Sequence, residues 1–176
     1  MDISKADFST IVKMGTVADF KEKINKEGKS LRDVVNDVDQ YGISLLEQAL
    51  IYRKFDFAKY FLDAEVKVNV ISKTGSNEFH YIAANINVST AIDIANILLE
   101  KDVDLSLKEI KYGNTALFSL CMEVLKKRTP EGIAFIVNCL KKKPDVDQMN
   151  KAGYSTRLLI VERGTDEMKK ALEELQ

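Results

Sequence analysis

A lone imidazole is the first group to test for chemistry. His80 is the only histidine in 176 residues, and it sits in the stretch Asn77-Glu78-Phe79-His80-Tyr81-Ile82-Ala83-Ala84. As a metal ligand it would need further His, Cys or carboxylate ligands nearby. As a general base it would need a group to orient it and a pocket to hold a substrate. The chain has no second histidine, and its two cysteines, Cys121 and Cys139, lie in apolar, helix-like runs further along, where buried free thiols are expected. Two D-x-D pairs, Asp102-Val103-Asp104 and Asp145-Val146-Asp147, could hold a cation, but the same register earlier in the chain reads Lys67-Val68-Asn69. Turn chemistry explains that alternation, because Asp and Asn both favour turns and tolerate unusual dihedrals. Two basic runs, Lys126-Lys127-Arg128 and Lys141-Lys142-Lys143, close helix-like segments, where cations complement the helix dipole. Antiparallel helices would put the two runs at opposite edges, so they should not merge into one nucleic-acid surface. No glycine-rich phosphate loop, nucleophile elbow or paired-Cys zinc spacing is present. The expectation is a protein with no catalytic residues, no metal ligands and no cofactor, in which His80 serves structure.

The elements around these residues follow from composition. A chain with 45% hydrophobic and 30% charged residues has enough apolar material for one ordinary globular core. Its formal net charge of −1 argues against strong non-specific binding to nucleic acid or to an anionic membrane. The opening "MDISKADFST" lacks a basic segment followed by an apolar run, and no stretch of about 18 apolar residues exists to span a bilayer. A soluble protein of the cytoplasm is expected. With only two prolines and eight glycines, apolar residues recur at helical spacing, as in Phe57, Tyr60, Phe61 and in Ile133, Ile136, Val137, Leu140. The fold class expected is all-α.

Four glycines reveal a repeat. Gly42, Gly75, Gly113 and Gly153 lie 33, 38 and 40 residues apart. Two places after each stands a small polar residue, Ser44, Asn77, Thr115 and Ser155, of the kind that caps a helix start. A first helix follows, then a second ending near Leu62, Leu99, Leu140 and Leu172. From the first three of those leucines to the next glycine is 13, 14 and 13 residues. The longer periods therefore come from insertions near "NINVSTA" and "KKRTPEG", which should lengthen helix ends or the back loop and leave the hairpin side intact. Thr129-Pro130-Glu131 reads as N-cap, first helical residue and first-turn acid. The segment "FSTIVKMGTVADFKEKINKEG" reads as a preceding helix pair with Gly15-Thr16 between its helices. "GTDEMKKALEELQ" reads as a last helix with Lys169, Lys170, Glu173 and Glu174 on its outer face.

This pattern resembles the ankyrin repeat over residues 39–176. The family's box of turn glycine, threonine, proline, leucine and histidine is matched by Gly42-Ile43-Ser44-Leu45-Leu46-Glu47, by Gly75-Ser76-Asn77-Glu78-Phe79-His80 and by Gly113-Asn114-Thr115-Ala116-Leu117-Phe118, each degenerate. The resemblance implies a solenoid of stacked antiparallel helix pairs joined by hairpin loops. Residues 1–38 would form a helical capping pair, and the repeats would run over 39–71, 72–109, 110–149 and 150–176 as one continuous domain. It implies that the ring of His80 bonds neighbouring backbone and steadies a hairpin. It also implies a concave face that binds a protein partner. The matching contact positions are Gln40, Tyr41 and Ile43 with Ile51 and Tyr52; Lys73, Thr74 and Ser76 with Ala84 and Asn85; Lys111, Tyr112 and Asn114 with Met122 and Glu123; and Lys151, Ala152 and Tyr154 with Glu162. Four of the six tyrosines, Tyr41, Tyr52, Tyr112 and Tyr154, fall in this set. Tyrosine gives large amphipathic contact area at low entropy cost and is enriched at interface hot spots. The expectation is a monomeric, non-catalytic interaction module that binds a protein, with no nucleic-acid or membrane partner. The alternatives are an intracellular inhibitor of the immunity or antitoxin type, a homo-oligomeric scaffold, and, least favoured, an enzyme with an unrecognised site.

Overall fold

The computed structural model describes residues 2, 5–64 and 66–175. Residues 1 and 176, the outer bounds of the two expected segments, and Glu65 in the first inter-unit link lie outside them. The described residues form eleven α-helices and no strand, with isolated bridges at Val38–Ser44 and Lys108–Thr115. None of the helices is long and apolar enough to cross a membrane.

The helix starts follow from local side-chain chemistry. Helix α1 (Phe8–Met14) is capped by Asp7 and ends at Gly15, and α2 (Val17–Lys26) begins at a Thr16–Asp19 capping box. A four-residue helix α3 (Leu31–Val34), not anticipated from the pattern, opens on a Ser30–Asp33 box. The remaining helices come in pairs: α4 (Leu45–Ile51) with α5 (Phe55–Leu62), α6 (Glu78–Ala83) with α7 (Ser89–Glu100), α8 (Ala116–Lys127) with α9 (Pro130–Lys141), and α10 (Thr156–Arg163) with α11 (Asp166–Glu173). Ser44, Asn77, Thr115 and Ser155 are the N-caps of α4, α6, α8 and α10. Thr129 caps α9, with Pro130 in its first turn. Each such cap stabilises its helix by about 1 kcal/mol. The insertions extend α7, α8 and α9 to 12 residues each, against 7 and 8 for α4 and α5.

The helices pack in two rows. α1, α4, α6, α8 and α10 touch in succession, and so do α2, α5, α7, α9 and α11, while each helix of the first row touches its successor in the second. The apolar core lies between the rows and is continuous from Ile11 to Leu172. At one end Phe20 meets Phe8, Phe57, Tyr60 and Phe61 with ring centroids 5.0 to 6.4 Å apart. Phe79 and Phe135 continue the seam at 6.3 Å. Burying each such ring contributes about 2 to 3 kcal/mol. At the other end Met168, Ala171 and Leu172 of α11 face inward, while Lys170, Glu173 and Glu174 are exposed and Lys169 is half-buried.

Candidate binding surface

Each of the four helix pairs from α4 onward is preceded by a tight hairpin whose shape is set by two residues. Gly42, Gly75, Gly113 and Gly153 all have φ between +71° and +77°. The hairpins close through Asp39 N–H to Ile43 O, Ser72 N–H to Ser76 O, Glu109 N–H to Asn114 O and Asn150 N–H to Tyr154 O. The third is thus one residue longer than the others, which corrects the expectation that the insertions spare the hairpin side.

The residue that opens each turn also anchors it. Asp39 Oδ1 accepts the Tyr41 and Ile43 amides at 2.8 and 3.0 Å. Ser72 Oγ accepts Ser76 N–H. Asn150 Oδ1 accepts the Ala152 and Tyr154 amides at 2.9 and 3.0 Å. In the longer third turn the anchor is Glu109, whose extra methylene lets its carboxylate reach three amides, Lys111, Tyr112 and Asn114, at 2.6 to 3.0 Å. Burial opposes ionisation of Glu109, but those three amides outweigh it and hold its pKa below the usual carboxylate value. These anchors escaped the sequence reading, although each stands three or four places before its glycine.

Adjacent hairpins are stitched together. Lys73 N–H donates to Tyr41 O at 2.8 Å, Ile110 N–H to Thr74 O at 2.8 Å, and Lys151 N–H to Tyr112 O at 2.9 Å. Lysine side chains add a reciprocal clamp: Lys108 Nζ donates to Met149 O at 2.7 Å and Lys151 Nζ to Ile110 O at 2.6 Å. The tips therefore form one edge with a fixed order.

On this edge Gln40, Tyr41, Lys73, Thr74, Lys111, Tyr112, Lys151 and Tyr154 are exposed, as is Tyr52 at the end of α4. Ile43, Asn114 and Glu123 are half-buried. Ser76 is buried under the second hairpin, where its hydroxyl accepts from Thr74, so it leaves the exposed set. Ile51, Ala84, Ala152 and Glu162 are exposed; Asn85 and Met122 are half-buried. Tyr41 and Tyr112 are 59% and 56% exposed. Lys111 lies over the Tyr112 ring and Lys13 over the Tyr52 ring, 4.7 and 5.0 Å from the centroids, and Tyr154 donates to Glu162 at 2.7 Å. The second hairpin carries Lys73 and Thr74 in place of a tyrosine, so the aromatic row is interrupted there. Exposed Val38, Ile71, Ile110 and Met149, which sequence reasoning missed, flank the tips.

The ring of His80 is engaged on both nitrogens. Nδ1 lies 2.9 Å from Asn77 Oδ1 and 3.3 Å from the Asn77 amide, and Nε2 lies 3.3 Å from the Asn114 carbonyl of the next hairpin. Burial lowers its pKa, against the Asn114 carbonyl and the charges of Glu109 and Asp104. Both thiols are buried and free, and burial pushes their pKa values up, which makes them poor nucleophiles. The aspartates of the D-x-D pairs are each committed: Asp102 to Lys142 at 2.8 Å, Asp104 and Asp145 to the amides of Ser106 and Asp147, and Asp147 to Arg157 through two bonds. Among the described residues no group of three or more His, Cys, Asp and Glu is placed to hold a metal ion.

Two carboxyls lie inside the fold. Glu47 and Glu78, on the adjacent helices α4 and α6, are both fully buried. Each keeps one bonded oxygen, to Ser44 N–H for Glu47 and to Val70 N–H for Glu78, and one oxygen without a partner. Burial raises both pKa values, and that of Glu47 is pushed up to about 8 with a contribution from Glu78.

No protein-family model matches the chain, and no curated protein matches it.

Proposed function

We propose that the chain is an ankyrin-like stack of helix pairs that binds a protein partner, as a single copy, through its hairpin edge and the neighbouring face of the first-row helices. The observation that carries this reading is the pair of Tyr41 and Tyr112, each more than half exposed on hairpins held by their own anchors and by the next hairpin's backbone. Exposed aromatic side chains on a rigid support lose little freedom on binding, which is what makes tyrosine effective at interfaces. Lys111 and Lys13 against the rings of Tyr112 and Tyr52 restrict them further. The four glycines at one conformation, the four polar N-caps and the two helix rows support the ankyrin-like reading. Two buried free thiols fit a reducing compartment such as the cytoplasm.

The test is affinity capture from native lysate with the wild type and with a variant carrying Tyr41→Ala, Tyr52→Ala, Tyr112→Ala and Tyr154→Ala. A protein held by the wild type and lost by a variant of unchanged helicity is the expected result, since each true hot spot contributes about 2 kcal/mol by truncation. Equal retention by both would make these tyrosines surface packing residues and move the binding site elsewhere.

A further inference from the structure

The hairpin edge carries a charge asymmetry that narrows the partner's chemistry; the inference rests on the interaction reading above. Lys73, Lys108, Lys111 and Lys151 are exposed on the second to fourth hairpins. No described carboxylate pairs with any of them. Glu109 is half-buried and spends both oxygens on turn amides, so its one negative charge acts on Lys111 without an ion-pair contact, and Asp147 is held by Arg157. Lys108 and Lys151 are fixed by carbonyl oxygens, which orient an ammonium without cancelling its charge. Between the lysines stand Ile110, Tyr112 and Met149, 62%, 56% and 58% exposed. The basic runs at the helix ends differ in part: Lys142 pairs with the carboxylate of Asp102 and Lys126 with that of Glu123.

We infer that the edge of the second to fourth hairpins is a docking site for an acidic polypeptide segment that also carries apolar or aromatic side chains. Its carboxylates meet the four ammoniums, and its apolar groups cover Ile110, Tyr112 and Met149. Nucleic acid fits this edge poorly. Its continuous row of phosphates would lie against exposed Ile110 and Met149, where a peptide can place apolar side chains instead.

The test is a titration of the isotopically labelled full chain with a random copolymer of glutamate and tyrosine, followed by amide chemical shifts, with a single-stranded oligonucleotide as the second probe. The expected shifts are confined to the second, third and fourth hairpins, and affinity falls about tenfold when salt is raised well past physiological strength. Lys73→Glu with Lys111→Glu, at two lysines whose side chains hold no backbone, weakens the copolymer about tenfold. Lys127→Glu with Lys141→Glu, at the helix ends, changes it less than about twofold. Shifts centred on the helix-end runs, no binding of the copolymer, or equally tight oligonucleotide binding at the hairpins would each overturn the inference. Failure of the copolymer alongside tyrosine-dependent capture of a protein would remove the acidic-partner inference and leave the interaction reading standing.

Discussion

Replacing Glu47 with glutamine should stabilise the fold at neutral pH. Glu47 is fully buried; one oxygen accepts Ser44 N–H at 2.7 Å and the other has no partner. Burial, with the nearby charges of Glu78 and Asp39, raises its pKa from 4.5 to about 8 in the fold, against the pull of the Ser44 amide and hydroxyl. The unfolded chain releases this proton near the lower value. Between the two values the folded state therefore holds more protons, and stability falls as pH rises. At about 1.4 kcal/mol per pH unit, the loss reaches on the order of 3 kcal/mol by pH 7. Glutamine keeps an acceptor for Ser44 N–H and carries no charge, so it should remove that loss. Urea unfolding followed by circular dichroism at a series of pH values measures the difference directly. The variant's advantage should be under about 1 kcal/mol near pH 5 and grow to about 3 kcal/mol near pH 7. A constant difference across that range, or a wild type that gains on the variant as pH rises, would refute the burial argument.

The other predictions concern the hairpins. Gly75→Ala should cost more than Gly153→Ala. Both have φ near +76°, but a Cβ at Gly75 would lie 3.0 Å from Ile110 Cγ1 and 3.2 Å from Lys108 O, whereas Gly153 faces open space. We expect about 1 kcal/mol at Gly153 and at least about 1 kcal/mol more at Gly75, read from urea midpoints; equal losses would contradict the close packing of the hairpins. Glu109→Asp should cost about 1 to 2 kcal/mol, because the shorter side chain cannot reach all three amides of the longer turn; an unchanged Tm would show that the turn holds itself. His80→Ala should lose about 1 to 2 kcal/mol without weakening partner capture, and a capture defect at full stability would return the histidine to the binding surface. The folded pKa of His80 is depressed, so its contribution is present above about pH 6.5 and lost as pH falls from there through the folded value. The His80→Gln variant should lack that acid-side decline.

The helices were legible in the sequence because their signals are local. A capping Ser, Thr or Asn bonds within its own first turn, so Ser44, Asn77, Thr115 and Ser155 announced their helices without knowledge of the fold. Tyr41, Tyr112, Lys73, Lys111 and Lys151 were marked as contact positions by the resemblance to the ankyrin repeat and by no local signal; all five are exposed. The third hairpin's extra residue was visible as an interval of 14 against 13, but a one-residue difference has no direction until the Glu109–Asn114 bond shows where it falls. Ser76 was placed on the contact face and is buried, and the burial of Glu47 and Glu78 was not read at all, for one reason. Their burial is decided by helices and hairpins from neighbouring units, and the polar character of a residue points toward solvent when its own segment is read alone. The lysine clamp between Lys108 and Met149 joins residues 41 apart and has no local signature.

The most direct test of the interaction claim is site-specific photo-crosslinking in the native lysate, with a photoreactive amino acid at Tyr112 on the hairpin edge or at Ala134 on the exposed face of α9. A discrete protein adduct from position 112 and none from position 134 is the expected result. An adduct from position 134 alone would place the partner on the second-row helices and contradict it.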